Sequence, residues 1–261
     1  MKPKPAHLGP RYAAQFLDER VARAYHTRPP YPAEVFEVLK YLADKQVLTV
    51  LDLGCGTGEI ALNVIGWAER VDAVDSSREM LAIARSRPEA EGSCIRWVHS
   101  AAEEFEFEGP YGLVVASESL HWMDWQVVLT KIGASLSPGG QLALVVGRQF
   151  SGLPWQSELQ SFIPEYSTNR EYQPYDLVEE LSERGLFAEQ GRRVTSRVPY
   201  QQALDDYVES FHSRNGFSRE RMGDSEASEF DARVRSTVLS YDSSGCVRGE
   251  VHASIVWGRP V

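Results

Sequence analysis

The stretch Val50-Leu51-Asp52-Leu53-Gly54-Cys55-Gly56-Thr57-Gly58-Glu59 limits this chain more than any other feature. A short apolar run suited to a buried strand meets three alternating glycines and then a helical pattern, so the sequence predicts a strand, a tight turn and a helix. Glycines at such a crossover let the backbone turn sharply and approach a ligand closely. Asp75 follows at the end of the next predicted strand, where a carboxylate can accept both hydroxyl protons of a ribose. A dinucleotide fingerprint would carry a third glycine where Glu59 stands, and a carboxylate there opposes a pyrophosphate resting on the helix N-terminus. An adenosine ligand with an amino-acid tail, bearing an ammonium and no phosphate, suits this acidic loop better.

The surrounding pattern alternates helix and strand. Helices are expected from Pro32 to about Lys45, from Glu59 to Ala68, from a Ser76/Glu79 capping pair through Met80, Leu81 and Ala84, and from Asp124 to Leu136. Strands are expected at Val47 to Leu53, Arg70 to Asp75, Ile95 to His99, Leu113 to Ser117 and Gln141 to Val146, the last separated from its helix by a Pro138-Gly139-Gly140 turn. Interleaved in this way, the strands imply a mostly parallel sheet covered by helices on both faces. The alternation breaks after residue 147. Residues 148–173 read as an insertion carrying Phe150, Trp155, Phe162, Tyr166 and Tyr172, aromatics that either enclose a substrate or fill a small core of their own. Beyond it the pattern predicts a helix at Asp176 to Arg184, a strand at Arg193 to Pro199, helices at Leu204 to Phe211 and Phe230 to Leu239, and a strand at Glu250 to Trp257. The expected organisation is one α/β domain over 1–261: a core of about 33–147 and 174–261, an N-terminal lid of about 10–32, the insertion, and a helical cap segment of about 202–240.

Charge and composition exclude several classes. The 261 residues carry 27 Lys and Arg against 37 Asp and Glu, a net charge of −10 that repels a phosphate backbone and argues against general nucleic-acid binding. No run approaches the roughly 18 apolar residues of a membrane helix, and the opening residues lack a signal peptide's apolar stretch, so no membrane partner and a cytoplasmic location are expected. Cys55, Cys94 and Cys246 are odd in number and widely spaced, which suits reduced thiols and no metal site.

DLGCGTGE on a first strand, with VDAVDSS following on the second, resembles the class I S-adenosylmethionine (SAM) dependent methyltransferases, over about residues 20–147. The resemblance implies a Rossmann-like, seven-stranded sheet with one antiparallel strand near its end, SAM as cofactor and S-adenosylhomocysteine as product. By position it implies that Asp52, Gly54 and Gly56 hold the methionine part, that Asp75 binds the ribose, that Met80 packs on the adenine, and that Ser76 and Ser117 also touch the cofactor. Ser100-Ala101-Ala102-Glu103 is similar to the family's third motif. Ala101 stands where relatives carry an acidic side chain, which leaves adenine recognition to Ser100 or to the backbone at Ala102. Tyr111-Gly112 departs likewise from the usual Phe-Asp. The segments Tyr25-His26-Thr27-Arg28-Pro29-Pro30-Tyr31-Pro32 and Ser119-Leu120-His121-Trp122 resemble a small-molecule branch that includes trans-aconitate methyltransferase-like proteins, which implies Arg28 as a clamp on the cofactor carboxylate.

Methyl transfer from a sulfonium needs alignment and exclusion of water more than it needs catalytic side chains. His121 is the candidate base for a hydroxyl or amine acceptor, with Trp122 and Trp125 shaping the wall, or else a residue that orients the cofactor. Glu118 is the second polar candidate, set against an exposed glutamate at a helix start. The expected partner is a small-molecule acceptor methylated on oxygen, nitrogen or carbon. Alternatives are methylation of RNA or protein, and a SAM-binding protein without transferase activity.

Overall fold

A computed structural model describes residues 3–261. The strands are β1 (Thr49–Leu53), β2 (Arg70–Asp75), β3 (Ile95–His99), β4 (Tyr111–Ser117), β5 (Leu136–Ser151), β6 (Phe187–Val194), β7 (Val198–Ala203) and β8 (Cys246–Pro260). They form one eight-stranded sheet in the order β3-β2-β1-β4-β5-β8-β6, with β7 also paired to β8. β1 to β5 run parallel, and β8 lies antiparallel to β5, β6 and β7. The Rossmann-like, mostly parallel architecture is the one the sequence predicts, enlarged by β7.

Both faces of the central strands are buried, which is why β1 reads as nearly continuous apolar sequence. Leu51 and Leu53 point to one face with Val114, Ala116, Leu142 and Leu144. Val50 points to the other with Val71, Ala73, Leu113 and Val115, the period of two that a pleated strand imposes. Among the helices, α1 is Glu19–Ala24, α2 Ala33–Leu42, α3 Glu59–Val64, α4 Arg78–Ser86, α5 Trp125–Ser135, α6 Gln156–Tyr166, α7 Leu177–Glu183, α8 Leu204–His212 and α9 Asp224–Tyr241. Side-chain caps set several starts: Asp124 Oδ1 accepts from Val127 N–H ahead of α5, and Asp176 Oδ1 from Val178 and Glu179 N–H ahead of α7.

Three expectations are corrected, and one left open is decided. The cap of α4 is Ser77, whose Oγ accepts from Met80 N–H at 3.3 Å, one residue later than the capping pair read at Ser76. Pro138-Gly139-Gly140 lies inside β5, where pairing passes from Tyr111↔Leu136 to Leu113↔Gln141 and the added residues bulge out. The strand expected at Arg193 to Pro199 is two strands, broken where Thr195 exchanges hydrogen bonds with Ala253: its N–H donates to the carbonyl and its Oγ1 accepts from the N–H. The insertion contains the end of β5 and helix α6. Its Trp155, Phe162 and Tyr166 pack with Tyr207, Phe211 and Phe230 of α8 and α9, so these aromatics fill a separate core of the cap, and Tyr172 is exposed.

The absence of the usual aspartate at Gly112 has a steric cause. A Cβ there would stand 1.8 Å from the Val47 carbonyl oxygen, because the connection from α2 to β1 crosses directly over it. Tyr111 donates instead to buried Asp72, which also pairs with Arg96 at 2.8 Å.

Candidate active site

The strand order reverses between β1 and β4, and in open α/β sheets the crevice at that switch point receives ligands. Here it opens into a cleft of about 390 Å³, within the roughly 300–1,000 Å³ typical of small-molecule sites. Its walls are the carboxyl ends of the first four strands: Gly54 and Gly56 after β1, Asp75 and Ser76 at β2, Ser100 to Glu103 after β3, and Ser117 to Ser119 after β4. Met80 of α4 supplies a further apolar surface, and the N-terminal residues Pro10 to Leu17 with Tyr25 close the roof.

Asp75 occupies the centre of this arrangement. One carboxylate oxygen accepts from Gly56 N–H at 2.8 Å and the other from Ser77 N–H at 2.8 Å, so the side chain ties the glycine loop to the start of α4. Burial raises its pKa above the ordinary carboxylate value against the pull of those two bonds. Each oxygen keeps lone-pair capacity for a ligand hydroxyl. Gly54, at φ +72°, could carry no side chain: a Cβ would sit 2.4 Å from that of Ser119, whose Oγ donates to the Leu53 carbonyl at 2.6 Å.

Two of the residues expected to touch the cofactor are not in the lining of this cleft. Asp52 is buried beneath the loop, accepts from Ala61 N–H in the first turn of α3 at 3.0 Å, and borders only a small recess behind Gly54 and Gly56. Its carboxyl, desolvated and close to Asp75 and Glu59, is pushed up to about 7. Arg28 is not in the lining of the cleft. Its Nε donates to Ser213 Oγ at 2.8 Å and one terminal nitrogen to the Ser213 carbonyl at 2.6 Å, so it braces the N-terminal segment against the cap. Its guanidinium lies 4.2 Å over the Tyr25 ring.

Glu118 differs from the exposed helix-start alternative. It lines the cleft, has φ +49° and is the one described non-glycine residue with a positive φ, a strained conformation that calls for a compensating contact. Arg148 provides it, donating its backbone N–H to Glu118 Oε1 at 3.2 Å, while Arg28 lies 3.4 Å and the Arg148 guanidinium 3.6 Å from Oε2. Burial opposes the charge, yet the two arginines hold the carboxyl below its ordinary range. Arg148 also pairs with Glu59 at 2.7 Å and covers the Tyr31 ring, whose hydroxyl meets Ser117 Oγ at 2.5 Å. Arg148, Glu59 and Tyr31 were not among the sequence candidates; only the Tyr-Arg-Pro-rich segment pointed toward this corner.

His121 follows on the turn Leu120–Trp122 but does not line the cleft, whereas Trp122 does. The imidazole packs 4.6 Å from the Trp122 ring and faces Tyr175, and burial lowers its pKa to about 4. Trp125 is buried and donates to the Leu120 carbonyl at 3.0 Å, which fixes this turn from below. Ser100 Oγ donates to the Ala101 carbonyl, and Ser100 to Glu103 all border the cleft. Among the described residues no group of His, Cys, Asp and Glu has metal-site geometry, and no helix is long and apolar enough to cross a membrane.

Residues 50–140 match the family described as a methyltransferase domain. An uncharacterized methyltransferase of Mycobacterium tuberculosis is 31% identical over 136 residues, 52% of this chain and 54% of that protein. The Escherichia coli tRNA 5-carboxymethoxyuridine methyltransferase is 32% identical over 105 residues, 38% of this chain and 40% of that protein. The chain thus spans about half the length of the curated relatives it matches. A solved structure from Anaeromyxobacter dehalogenans, provisionally described as a type II methyltransferase, superposes with a TM-score of 0.65 at 18% identity, covering 89% of this chain and 97% of that one. Residues 50–140 are therefore similar to a methyltransferase domain, and the fold is shared with a solved structure described in those terms.

Proposed function

We propose that this protein is a SAM-dependent methyltransferase acting on a small molecule. The observation that carries the reading is Asp75, a cleft-lining carboxylate held by the Gly56 and Ser77 N–H groups and left with acceptor capacity toward the cleft. The donor set fits the cofactor: Asp75 would accept the ribose hydroxyls, Met80, Ala101 and Ala102 would flank the adenine, and the backbone of Gly54 and Gly56 would border the amino-acid tail. When bound, SAM supplies a methyl group already activated on sulfur. The chain's own work is to orient the acceptor at the Ser117–Ser119 edge and to exclude water beneath Pro10 to Leu17. His121, neutral throughout the physiological range, is poorly matched to general-base duty near pH 7 and better suited to positioning Trp122.

The small-molecule branch is favoured by the N-terminal residues that lie over the cleft and by the net charge of −10. The tRNA-modifying relative supports a second reading, in which the acceptor is RNA. Three free cysteines accord with a cytoplasmic setting. The test is transfer of tritium from methyl-labelled SAM to separated metabolite, tRNA and protein fractions of a cell extract. Label in the metabolite fraction is expected; label confined to tRNA or protein would overturn the small-molecule reading, and binding of S-adenosylhomocysteine with no transfer to any fraction would favour a SAM-binding protein.

A further inference from the structure

The N-terminal roof of the cleft is fastened to the cap on its outer side. Gln15 stands in sequence between Ala14 and Phe16, which line the cleft, yet its own side chain is buried against the turn that follows α8. There Nε2 donates to the Arg214 carbonyl at 3.0 Å and Oε1 accepts from Gly216 N–H at 2.9 Å. Asp18 Oδ2 accepts from Ser218 Oγ at 2.8 Å and from Arg221 Nε at 3.0 Å, while Arg20 donates its backbone N–H to Glu220 at 3.0 Å and its guanidinium to Asp224 at 2.9 Å. Backbone carbonyls of the segment take part as well: that of Arg11 accepts from Arg221 at 2.7 Å and that of Tyr12 from Asn215 at 2.9 Å. At the far end Arg28 holds the carbonyl and Oγ of Ser213.

The inner side of the same segment meets the core differently. Val21 and Ala22 pack on Met80, and the Phe16 ring lies 5.4 Å from that of Trp122. Met80 and Trp122 themselves line the cleft. Polar ties to the core stand at the two ends, where Lys4 Nζ donates to the Met123 carbonyl at 3.0 Å and Arg28 lies 3.4 Å from Glu118. Hydrogen bonds fix one geometry and are costly to leave unmade when buried, whereas apolar contact is non-directional. The seam that parts most cheaply is therefore the one between roof and core, which is the cleft itself.

We propose that Gln15 and Asp18 are positioning residues for the cofactor site: they join the roof and the α8–α9 turn into one cooperative unit, so that the cap sets how long a cofactor stays in the cleft. The identity of the ligand rests on the methyltransferase reading; the unit does not.

The test uses the full chain with Gln15→Met, which keeps the side chain's length and loses both hydrogen bonds, and Asp18→Ala, at a partly exposed position. Hydrogen exchange without ligand compares peptides from 10–24, from 213–223 and from β1 and β2. Residues of one cooperative unit open together, so each variant should speed exchange in the first two regions by the same factor, about tenfold or more, and leave β1 and β2 unchanged. Surface plasmon resonance should then show S-adenosylhomocysteine dissociating about tenfold faster or more from each variant. Asp18→Asn, whose oxygen still accepts from Ser218 and Arg221, should recover most of both effects. In Asp18→Ala, faster exchange in 10–24 with none in 213–223, or equal acceleration in β1 and β2, would overturn the unit. A dissociation rate in Asp18→Ala within about twofold of wild type would overturn the cap's control of residence. Failure of the wild-type chain to bind S-adenosylhomocysteine at all would refute the methyltransferase reading and the claim on residence with it, while the exchange comparison still decides the unit.

Discussion

Replacing Asp75 by asparagine keeps the shape of the side chain and removes its charge. Each carboxylate oxygen accepts one backbone N–H, from Gly56 and from Ser77, both at 2.8 Å. An amide retains a single acceptor oxygen, so one of those donors must face an NH₂ group, and the ligand's hydroxyls lose part of their charged acceptor. A hydrogen bond to a charged group is worth about 1.5–3 kcal/mol, which predicts a ten- to roughly 150-fold loss of S-adenosylhomocysteine affinity. The effect on folding should be smaller. Burial raises the Asp75 pKa, so the ionised group already carries a desolvation cost that the neutral amide escapes. A net change below about 1 kcal/mol moves the melting midpoint of a chain this size by no more than about 2–4 °C. Calorimetric titration of Asp75→Asn beside a thermal melt separates the two effects. An affinity within threefold of wild type, in a variant that melts normally, would refute the assignment of Asp75 to the ligand.

Asp52 gives a prediction for pH. Its pKa is raised from the ordinary 3.8 to about 7, so its favourable contribution is fully present below about pH 4 and is lost as pH rises through 7. Asp52→Asn, whose oxygen can still accept from Ala61 N–H, should flatten the fall in stability between pH 4 and 8 and melt higher than wild type at pH 8; parallel curves for the two proteins would contradict the shift. Gly54→Val should abolish S-adenosylhomocysteine binding, because its Cβ would fall 2.4 Å from that of Ser119 at a φ of +72°, and normal binding would refute the loop's place in the site. His121→Ala should lower turnover through Trp122 while leaving S-adenosylhomocysteine affinity near wild type, and turnover across pH 6–8 should carry no ionisation from this residue. An ionisation in that range lost on substitution would restore it as a base.

Local signals made most of the sheet legible. Apolar runs bounded by glycine or by a terminal carboxylate located β1 and β2 because both faces of those strands are buried, and β8 showed its alternation at Val251, Ala253 and Ile255. The edge was harder to read. β6 carries Glu189, Gln190, Arg192 and Arg193, β7 carries Gln201 and Gln202, and little of either is buried, since only one edge of each meets another strand. The glycine loop announced the cleft, and Gly54, Gly56, Asp75, Ser76, Met80, Ala101, Ala102 and Ser117 all line it. Asp52 and Arg28 do not, and the reasons are long-range: the first is spent on a helix N-terminus nine residues away, the second on Ser213 in the cap. Arg148 belongs to the same class: it lies in a stretch where periodicity fails, and it takes its meaning from Glu59 and Glu118, brought near only by the finished fold.

The central claim is that the cleft at the β1/β4 switch point holds SAM. The most direct measurement is calorimetric titration of the purified chain with SAM, S-adenosylhomocysteine and NAD. Binding of the first two, weakened in Asp75→Asn, with no heat from NAD, is the predicted result. No binding of SAM or S-adenosylhomocysteine, or binding of NAD in their place, would contradict the account.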